Sequence, residues 1–107
     1  MANAFKNSSA KLLTTSTTIY ACPAATQSVV FGLYFSNVDG TNDSSFTVEV
    51  FDNSTGLTRT LGKGIPVPIG STVQFGKITL EANDILKAFA PIINDIEAFA
   101  NILEVTA

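Results

Sequence analysis

The chain has 107 residues and a formal net charge of −3, with six basic and nine acidic residues. This length supports one hydrophobic core and excludes a second domain. Because the basic residues are interleaved with acidic ones and form no stripe, nucleic acid is not expected as a partner. Charged residues make up 14% of the chain, against roughly 25% in an average soluble domain. With so few charges to keep copies apart, we expect part of the surface to be covered by a partner.

The side-chain inventory argues against most enzyme classes. The sequence has no histidine and one cysteine, Cys22, so this chain lacks the usual general base, the nucleophile–histidine pair and the common zinc ligand sets. Five carboxylates remain as candidates for a glycosidase pair of acids: Glu49, Asp52, Glu81, Asp84 and Glu97. Surface carboxylates are far commoner than catalytic ones, so we expect no enzymatic activity, no cofactor and no metal site.

Residues 1–10 are polar and aperiodic, which predicts a flexible or partner-docked arm ahead of a single domain over residues 11–107. This stretch lacks the apolar core of a signal peptide, and Cys22 alone forms no internal disulfide, so synthesis in a reducing cytoplasm is expected. No run approaches the ~18 apolar residues that cross a bilayer, and no membrane partner is expected.

The first strand signals follow the arm. Residues 11–20 are dense in β-branched side chains and predict one or two strands. Pro23 marks a turn over residues 22–27, because proline fixes its φ angle and cannot donate to a sheet ladder. Residues 28–37 form the clearest strand, which is apolar on both sides and therefore expected to be central. Alternation assigns its side chains to two faces, one with Val29, Phe31, Leu33 and Phe35 and the other with Val30 and Tyr34.

A loop, a hairpin and a crossing come next. In residues 38–44, asparagine, aspartate and glycine are expected to make turns, since the spacing of an EF-hand calcium loop is absent. Residues 45–52 alternate as a half-buried strand, and residues 53–56 turn the chain back into residues 57–61. Residues 62–71 hold three glycines and two prolines, and are expected to cross between two sheets.

Residues 82–105 are ambiguous. Their apolar side chains recur every three or four positions, as on a helix: Ile85, Phe89, Ile92, Ile96, Phe99 and Leu103. Pro91 interrupts this pattern and would cost about 3 kcal/mol inside a helix. We therefore expect two strands, 85–90 and 98–105, joined by residues 91–96, with a helix as the alternative.

Short strands are also expected at residues 72–75 and 78–81. Seven to eight short strands at this spacing predict an all-β fold, either an antiparallel sandwich or a jelly-roll-like domain. Most of its large aromatic side chains should fill the core between the sheets: Phe31, Tyr34, Phe35, Phe46, Phe51, Phe75, Phe89 and Phe99. Tyr34 and Phe51 break the inward pattern of their strands, so each is either a second core face or an interface anchor.

Two stretches carry a resemblance to a known class of protein. The first is residues 18–24 (TIYACPA), followed by a hydrophobic strand that ends at Asn37 before an Asp-Gly pair. The second is residues 78–85 (ITLEANDI), with Asn83 where a glycine is more usual, followed by the Ala-Phe-Ala strand at residues 98–100. Together they resemble small virion proteins encoded among tailed-phage structural genes.

This resemblance covers residues 17–105 and implies a β-sandwich that decorates capsids or sits on tails, usually as an oligomer. It carries over no functional residues. We therefore expect a bacteriophage capsid decoration (cement) protein on the outer capsid surface, made in the host cytoplasm; the alternative is a tail, fibre or neck-associated module that binds host glycans. The expected partners are the major capsid protein and neighbouring copies in a homo-oligomer. Candidate interface residues are Phe5, Lys6, Leu12, Leu13, Tyr34 and Phe51.

Overall fold

Nine strands account for most of residues 2–106, the part of the chain that this computed structural model describes. They are β1 (Ala2–Lys11), β2 (Thr17–Ala21), β3 (Thr26–Asn37), β4 (Ser44–Asp52), β5 (Leu57–Val67), β6 (Thr72–Phe75), β7 (Ile78–Leu80), β8 (Ile85–Phe89) and β9 (Ile96–Thr106). The described residues contain no helix, and so none long and apolar enough to cross a membrane.

The strands form two antiparallel sheets packed face to face. Sheet 1 has the order β1-β9-β3-β6, with β7 also pairing with β3, and sheet 2 has the order β2-β8-β4-β5. Strands β1 to β4 alternate between the sheets, and β4 and β5 form the predicted hairpin. This order is that of a jelly roll. The predicted all-β sandwich is therefore confirmed, with nine strands in place of seven or eight.

The core lies between the sheets and is centred on two stacked rings. Phe35 of β3 and Phe46 of β4 lie with ring centroids 3.8 Å apart and 11° between their planes. Fully buried aliphatic side chains surround them: Leu12, Val30, Leu33, Val48, Val67, Leu80, Leu86, Ile96 and Ile102. Of the aromatic side chains expected in the core, Phe35 and Phe46 alone are fully buried among the described residues, so that expectation is wrong for most of the set.

The predicted faces of β3 are wrong because the strand contains a β-bulge. Its register against β9 steps from Val30–Ile102 to Gly32–Asn101, which leaves Phe31 without a partner. An extra residue reverses the side to which all later side chains point. Consequently Leu33 shares the core with Val30, and Phe31 points outward and is 42% exposed. The prediction that β3 is central is confirmed, since it pairs with β9 on one side and with β6 and β7 on the other.

The glycine- and proline-rich segment is mostly strand and not a crossing. Residues 62–67 continue β5 along β4, with register shifts on either side of Val48. Strand β5 lies at the edge of sheet 2, where proline and bulges are tolerated because one side of the ladder is open. Gly64 adopts φ +61° within it. The crossing to sheet 1 is confined to residues 68–71, where the Ser71 N–H donates to the Pro68 carbonyl at 3.1 Å.

Residues 82–105 form two strands, β8 and β9, as expected, and the helical alternative is excluded. The segment between them includes Asn94 at φ +69°, and Asn83 ahead of β8 also has φ +69°. Asparagine tolerates this left-handed conformation better than other non-glycine residues. The glycine that is more usual at position 83 in the resembling proteins fits the same backbone.

Replacing Asn83 with alanine is expected to lower the free energy of unfolding by about 1 kcal/mol, because alanine is strained at positive φ. Asn83→Gly should leave it nearly unchanged, since both variants keep the backbone hydrogen bond from the residue 83 N–H to the Cys22 carbonyl. Urea unfolding of the two variants measures the difference. Equal losses in both would show that the asparagine side chain, and not φ, matters.

Residues 2–10 belong to the segment predicted as a flexible or partner-docked arm, and together with Lys11 they form the edge strand β1; residue 1 of the predicted arm lies outside the described residues. They pair with β9 without interruption, from Ala2–Thr106 to Lys11–Glu97. Nearly all their side chains are exposed, so no apolar alternation marks the strand in the sequence. Backbone pairing and an ion pair between Lys6 and Glu104 hold it. Docking of this segment onto a partner stays a prediction.

Candidate functional site: the aromatic face of sheet 1

The outer side of sheet 1 carries a group of apolar side chains that we call the aromatic face. They come from β1, β9 and β3: Phe5, Val29, Phe31, Tyr34, Phe99 and Leu103. Phe5 is 78% exposed, and Phe31 and Phe99 are each 42% exposed. Single exposed apolar residues are ordinary on protein surfaces, whereas large contiguous apolar patches are typical of interaction surfaces.

The strand register brings these side chains together. Phe5 lies opposite Leu103, which lies opposite Val29, so the three form one row across the strands. Phe31 packs edge-on against Phe5, with ring centroids 6.1 Å apart and 87° between planes. Phe99 lies opposite Tyr34 in a second row. Cross-strand neighbours of this kind pack against each other within each row, and the opposed pair Asn7 and Asn101 lies between the two rows.

Charge is nearly absent from this face. Among the outward residues of β1, β9 and β3, all within the described part of the chain, the ionised side chains are Lys11 and Glu97. They pair with each other at 3.5 Å at one end of the strands. The outer side of sheet 2 differs, since Lys87 lies opposite Glu49 and sits 5.9 Å from the ring centroid of Phe51. The uncharged centre of sheet 1 therefore loses little hydration energy when it is covered.

The Tyr34 ring lies over Gly32, which has no side chain. A Cβ on Gly32 would lie 3.1 Å from the Asn101 amide nitrogen and 3.2 Å from the Tyr34 ring. The glycine next to the bulged Phe31 therefore leaves room for the Tyr34 ring. The bulge positions Phe31, and the glycine positions Tyr34.

The six predicted interface residues do not lie in one place. Phe5 and Tyr34 belong to the aromatic face, Phe51 lies on the opposite sheet, and Leu13 is 39% exposed in the link from β1 to β2. Lys6 extends toward the interior, where its amine is 3.0 Å from a Glu104 oxygen. Leu12 is wrong as an interface residue, since it is fully buried in the core. The site role of the exposed candidates stays a prediction.

Phe31 and Phe99, the exposed rings nearest the centre of the face, were predicted from the sequence as core residues and not as interface residues. The inward positions of β9 beside Phe99 are Ala98 and Ala100, both buried. Ala98 lies opposite Phe35 and Ala100 opposite Leu33, so bulky inward side chains on β3 leave room for alanine only. The alternation of alanine with phenylalanine is a signal that the phenylalanine faces outward.

A buried polar network lies between the sheets behind this face. The Tyr20 hydroxyl donates to a Glu104 carboxylate oxygen at 2.5 Å and lies 2.8 Å from the Ser28 hydroxyl. The Cys22 sulfur lies 3.2 Å from the same Ser28 oxygen. Cys22 is 2% exposed, so its side chain packs inside the sandwich. With Lys6 at its open end, the network joins β1, β9, β2 and β3.

The network shifts two pKa values in opposite directions. The hydrogen bond from Tyr20, aided by Lys6, holds the pKa of Glu104 below its usual 4.5, although burial acts the other way. Burial, followed by the bond to the Glu104 carboxylate, raises the pKa of the Tyr20 hydroxyl well above its usual 10.0. Tyr20 is therefore neutral and Glu104 ionised across the neutral pH range.

Glu104 makes the protein less stable in acid. A carboxyl group whose pKa is depressed by folding stabilises the native state above its unfolded pKa, and this contribution is lost as pH falls through the folded pKa. We expect the free energy of unfolding to fall below pH 4.5, the ordinary value for Glu104. Glu104→Gln should flatten that fall and cost about 1–2 kcal/mol at pH 7, because a charged hydrogen bond becomes a neutral one.

Urea midpoints measured across the acid range test this expectation. Asp52→Asn is the control, since the pKa of the Asp52 carboxyl is also lowered, chiefly by the Ser54 hydroxyl, but at the surface. An acid dependence that Asp52→Asn flattens and Glu104→Gln leaves unchanged would contradict the assignment to the buried network.

Three of the predicted carboxylates do meet. Asp52, Glu81 and Asp84 have oxygens within 4.8 Å of one another. Asp84 uses one oxygen to accept from the Asn53 N–H and the other to accept from the Glu81 N–H, both at 2.9 Å, so it ties two loops together. Glu49 and Glu97 lie elsewhere, the first accepting from Ser16 and the second paired with Lys11.

A cavity of about 500 Å³ lies beside this cluster, near the end of β9. Its lining is made of small, polar and aliphatic residues and includes Thr26, Gln27, Asn53, Ser54, Glu81 and Val105. No aromatic side chain is among the described residues that line it. The glycan-binding alternative requires an aromatic surface on which a sugar ring stacks. This cavity does not provide one.

The sequence matches no protein-family model and no curated protein. The fold is similar to that of a chain from the Bacillus endospore appendages, a family of disulfide-linked pili, with a TM-score of 0.58, 16% identity, 98% of this chain covered and 87% of that chain. It is also similar to a chain of the Helicobacter pylori bacteriophage KHP30 capsid, with a TM-score of 0.56, 12% identity, and coverage of 100% and 95%. A chain of infectious bursal disease virus strain Gx gives a TM-score of 0.54 at 11% identity over 99% of this chain and 33% of that one. At these identities the likeness establishes a shared fold.

Proposed function

We propose that the chain is a virion structural protein that decorates an assembled bacteriophage capsid, binding the shell without catalysing a reaction. The single observation that carries this proposal is the aromatic face of sheet 1. Its three exposed phenylalanines, Phe5, Phe31 and Phe99, lie on a rigid sheet with the ionised pair at one end. A surface of this kind gains free energy when it is covered and offers little for binding a charged ligand.

The energetics suit attachment in many copies. A large aromatic side chain that goes from full exposure to full burial covers about 150–250 Å². Because Phe5 is 78% exposed and Phe31 and Phe99 are each 42% exposed, the three rings together supply about a third to a half of the ~800 Å² that each partner contributes to a standard interface. The affinity of one such contact is modest. Copies that lie side by side on a shell and contact each other are held on the shell more tightly than a single copy. Because the protein would bind the assembled shell and not free subunits, its binding free energy adds to the stability of the shell. The partners are the major capsid protein and neighbouring copies of the chain.

The comparisons support this proposal through the fold. A similar fold occurs in a chain of a bacteriophage capsid and in one of an appendage described as a disulfide-linked pilus. The single cysteine of this chain, Cys22, is buried, so the folded protein offers no thiol for linkage between subunits. This favours non-covalent attachment over a disulfide-linked filament.

Mass spectrometry of purified virions tests the proposal. The chain should be present in many copies per particle and should be released before the major capsid protein when particles are treated with rising denaturant, because it is held by surface contacts alone. Particles that are complete, infectious and free of the chain would contradict it.

A further inference from the structure

The backbone of strand β1 pairs with β9 alone among the described strands, and its side chains also reach β2 through Ser8 and β3 through Phe5. Its ten residues pair with β9 from Ala2–Thr106 to Lys11–Glu97, whereas most of its side chains are exposed. No strand among the described residues occupies its other edge. Detaching β1 would therefore expose the edge of β9 but open no large cavity in the hydrophobic core, unlike the loss of an interior strand.

Two inward side chains make the edge of β9 selective for this strand. Lys6 places its amine 3.0 Å from an oxygen of Glu104, whose side chain is 7% exposed, and an empty edge would remove that countercharge. Ser8 donates from its hydroxyl to the Ile19 carbonyl oxygen on β2 at 2.5 Å. A strand that pairs with this edge of β9 must thus carry a cation and a hydroxyl two positions apart on its inward side. The Lys-Asn-Ser sequence of β1 meets that requirement.

The chain immediately after β1 is anchored independently. Leu12 is fully buried, its N–H donates to the Ile96 carbonyl at 2.8 Å, and its own carbonyl accepts from the Asn94 N–H at 3.1 Å. A hinge at Lys11 would therefore leave the rest of the sandwich unchanged. A detached ten-residue strand spans about 33 Å, which exceeds the two shorter dimensions of the molecule, 27 Å and 18 Å.

We propose that β1 exchanges between copies, so that β1 of one molecule pairs with β9 of a second copy in the same register. Exchange recreates every backbone pair and both inward contacts of the closed molecule, so the balance between the two forms depends mainly on how close the copies are held. It requires a second copy of the chain and no capsid. Where copies lie side by side, exchange links neighbours without a disulfide.

Disulfide trapping between two singly substituted chains tests the exchange. Ser8 lies opposite Ala100, and opposed Cα atoms in antiparallel strands are about 4.5–5.5 Å apart, within the range of a disulfide. Both side chains point between the sheets, so Ser8→Cys on one chain meets Ala100→Cys on another only when β1 of the first pairs with β9 of the second. The chains are mixed folded and, separately, refolded together, then oxidised and run on a non-reducing gel.

The expected result is a heterodimer as the main oxidised product, with loss of the monomer. Ala4→Cys mixed with Ala100→Cys is the matched control, since Ala4 lies four residues out of register, and the unsubstituted chain shows the background from buried Cys22. Should Ala100→Cys disturb folding, the opposed pair Ala10 and Ala98 replaces it. A heterodimer yield equal to that of the control under both conditions overturns the exchange. Since the mixture contains no capsid, that outcome leaves the capsid proposal untouched.

Discussion

Replacing Phe46 with alanine is expected to lower the free energy of unfolding by about 3–5 kcal/mol. Phe46 is fully buried and its ring stacks on that of Phe35 at 3.8 Å, so the substitution removes the contact that joins β4 of sheet 2 to β3 of sheet 1. The neighbouring strands are fixed by their ladders and cannot collapse into the space. Since small domains have about 5–15 kcal/mol of stability in total, this loss is a large fraction of the whole.

Phe99→Ala is the matched control for Phe46→Ala. Phe99 is the same residue type in the same sandwich but is 42% exposed, so its loss should cost less than about 1 kcal/mol. Urea unfolding followed by circular dichroism compares the two variants. Equal losses of unfolding free energy in the two variants would mean that the core is not centred on Phe35 and Phe46.

The double variant Phe31→Ala, Phe99→Ala is expected to lose most of its affinity for empty capsids while remaining folded. Each aromatic anchor at the centre of an interface contributes about 2 kcal/mol or more. Two such losses correspond to roughly a thousandfold weaker binding if they add. Co-sedimentation of the chain with expanded, emptied capsids over a range of concentrations measures the change.

Phe51→Ala supplies the control for attachment. Phe51 is an aromatic residue on the outer side of sheet 2, beside Lys87, and lies away from the aromatic face. Its replacement should leave capsid binding within a few-fold of the unsubstituted chain. If Phe51→Ala abolished binding and the double variant did not, sheet 2 would be the attachment surface.

The sequence predicted the architecture better than the site because the two depend on different signals. Pro91 correctly indicated strands on both sides of residues 91–96, although the spacing of the apolar residues there also fits a helix, since proline acts locally on the backbone. The bulge at Phe31 carries no such signal, and it reverses the faces of the second half of β3. An error of one residue in register therefore moved Phe31 from the predicted core to the surface.

The N-terminal strand was not predicted because backbone pairing leaves little trace in composition. Strand β1 places no bulky apolar side chain in the core, and its partner β9 is more than 85 residues away along the chain at every pair. Lys6 likewise looks like an ordinary surface lysine until Glu104 is placed beside it. Interactions between distant segments, and not local pattern, determine both the β1 strand and the role of Lys6.

Hydroxyl-radical footprinting of purified virions tests the central claim most directly. Oxidation of each phenylalanine is measured by mass spectrometry in the free chain and in the particle. The proposed function predicts that Phe31 and Phe99 become protected in the particle while Phe51 stays as reactive as in the free chain. Unchanged oxidation of Phe31 and Phe99 in particles that contain the chain would contradict adhesion through the aromatic face.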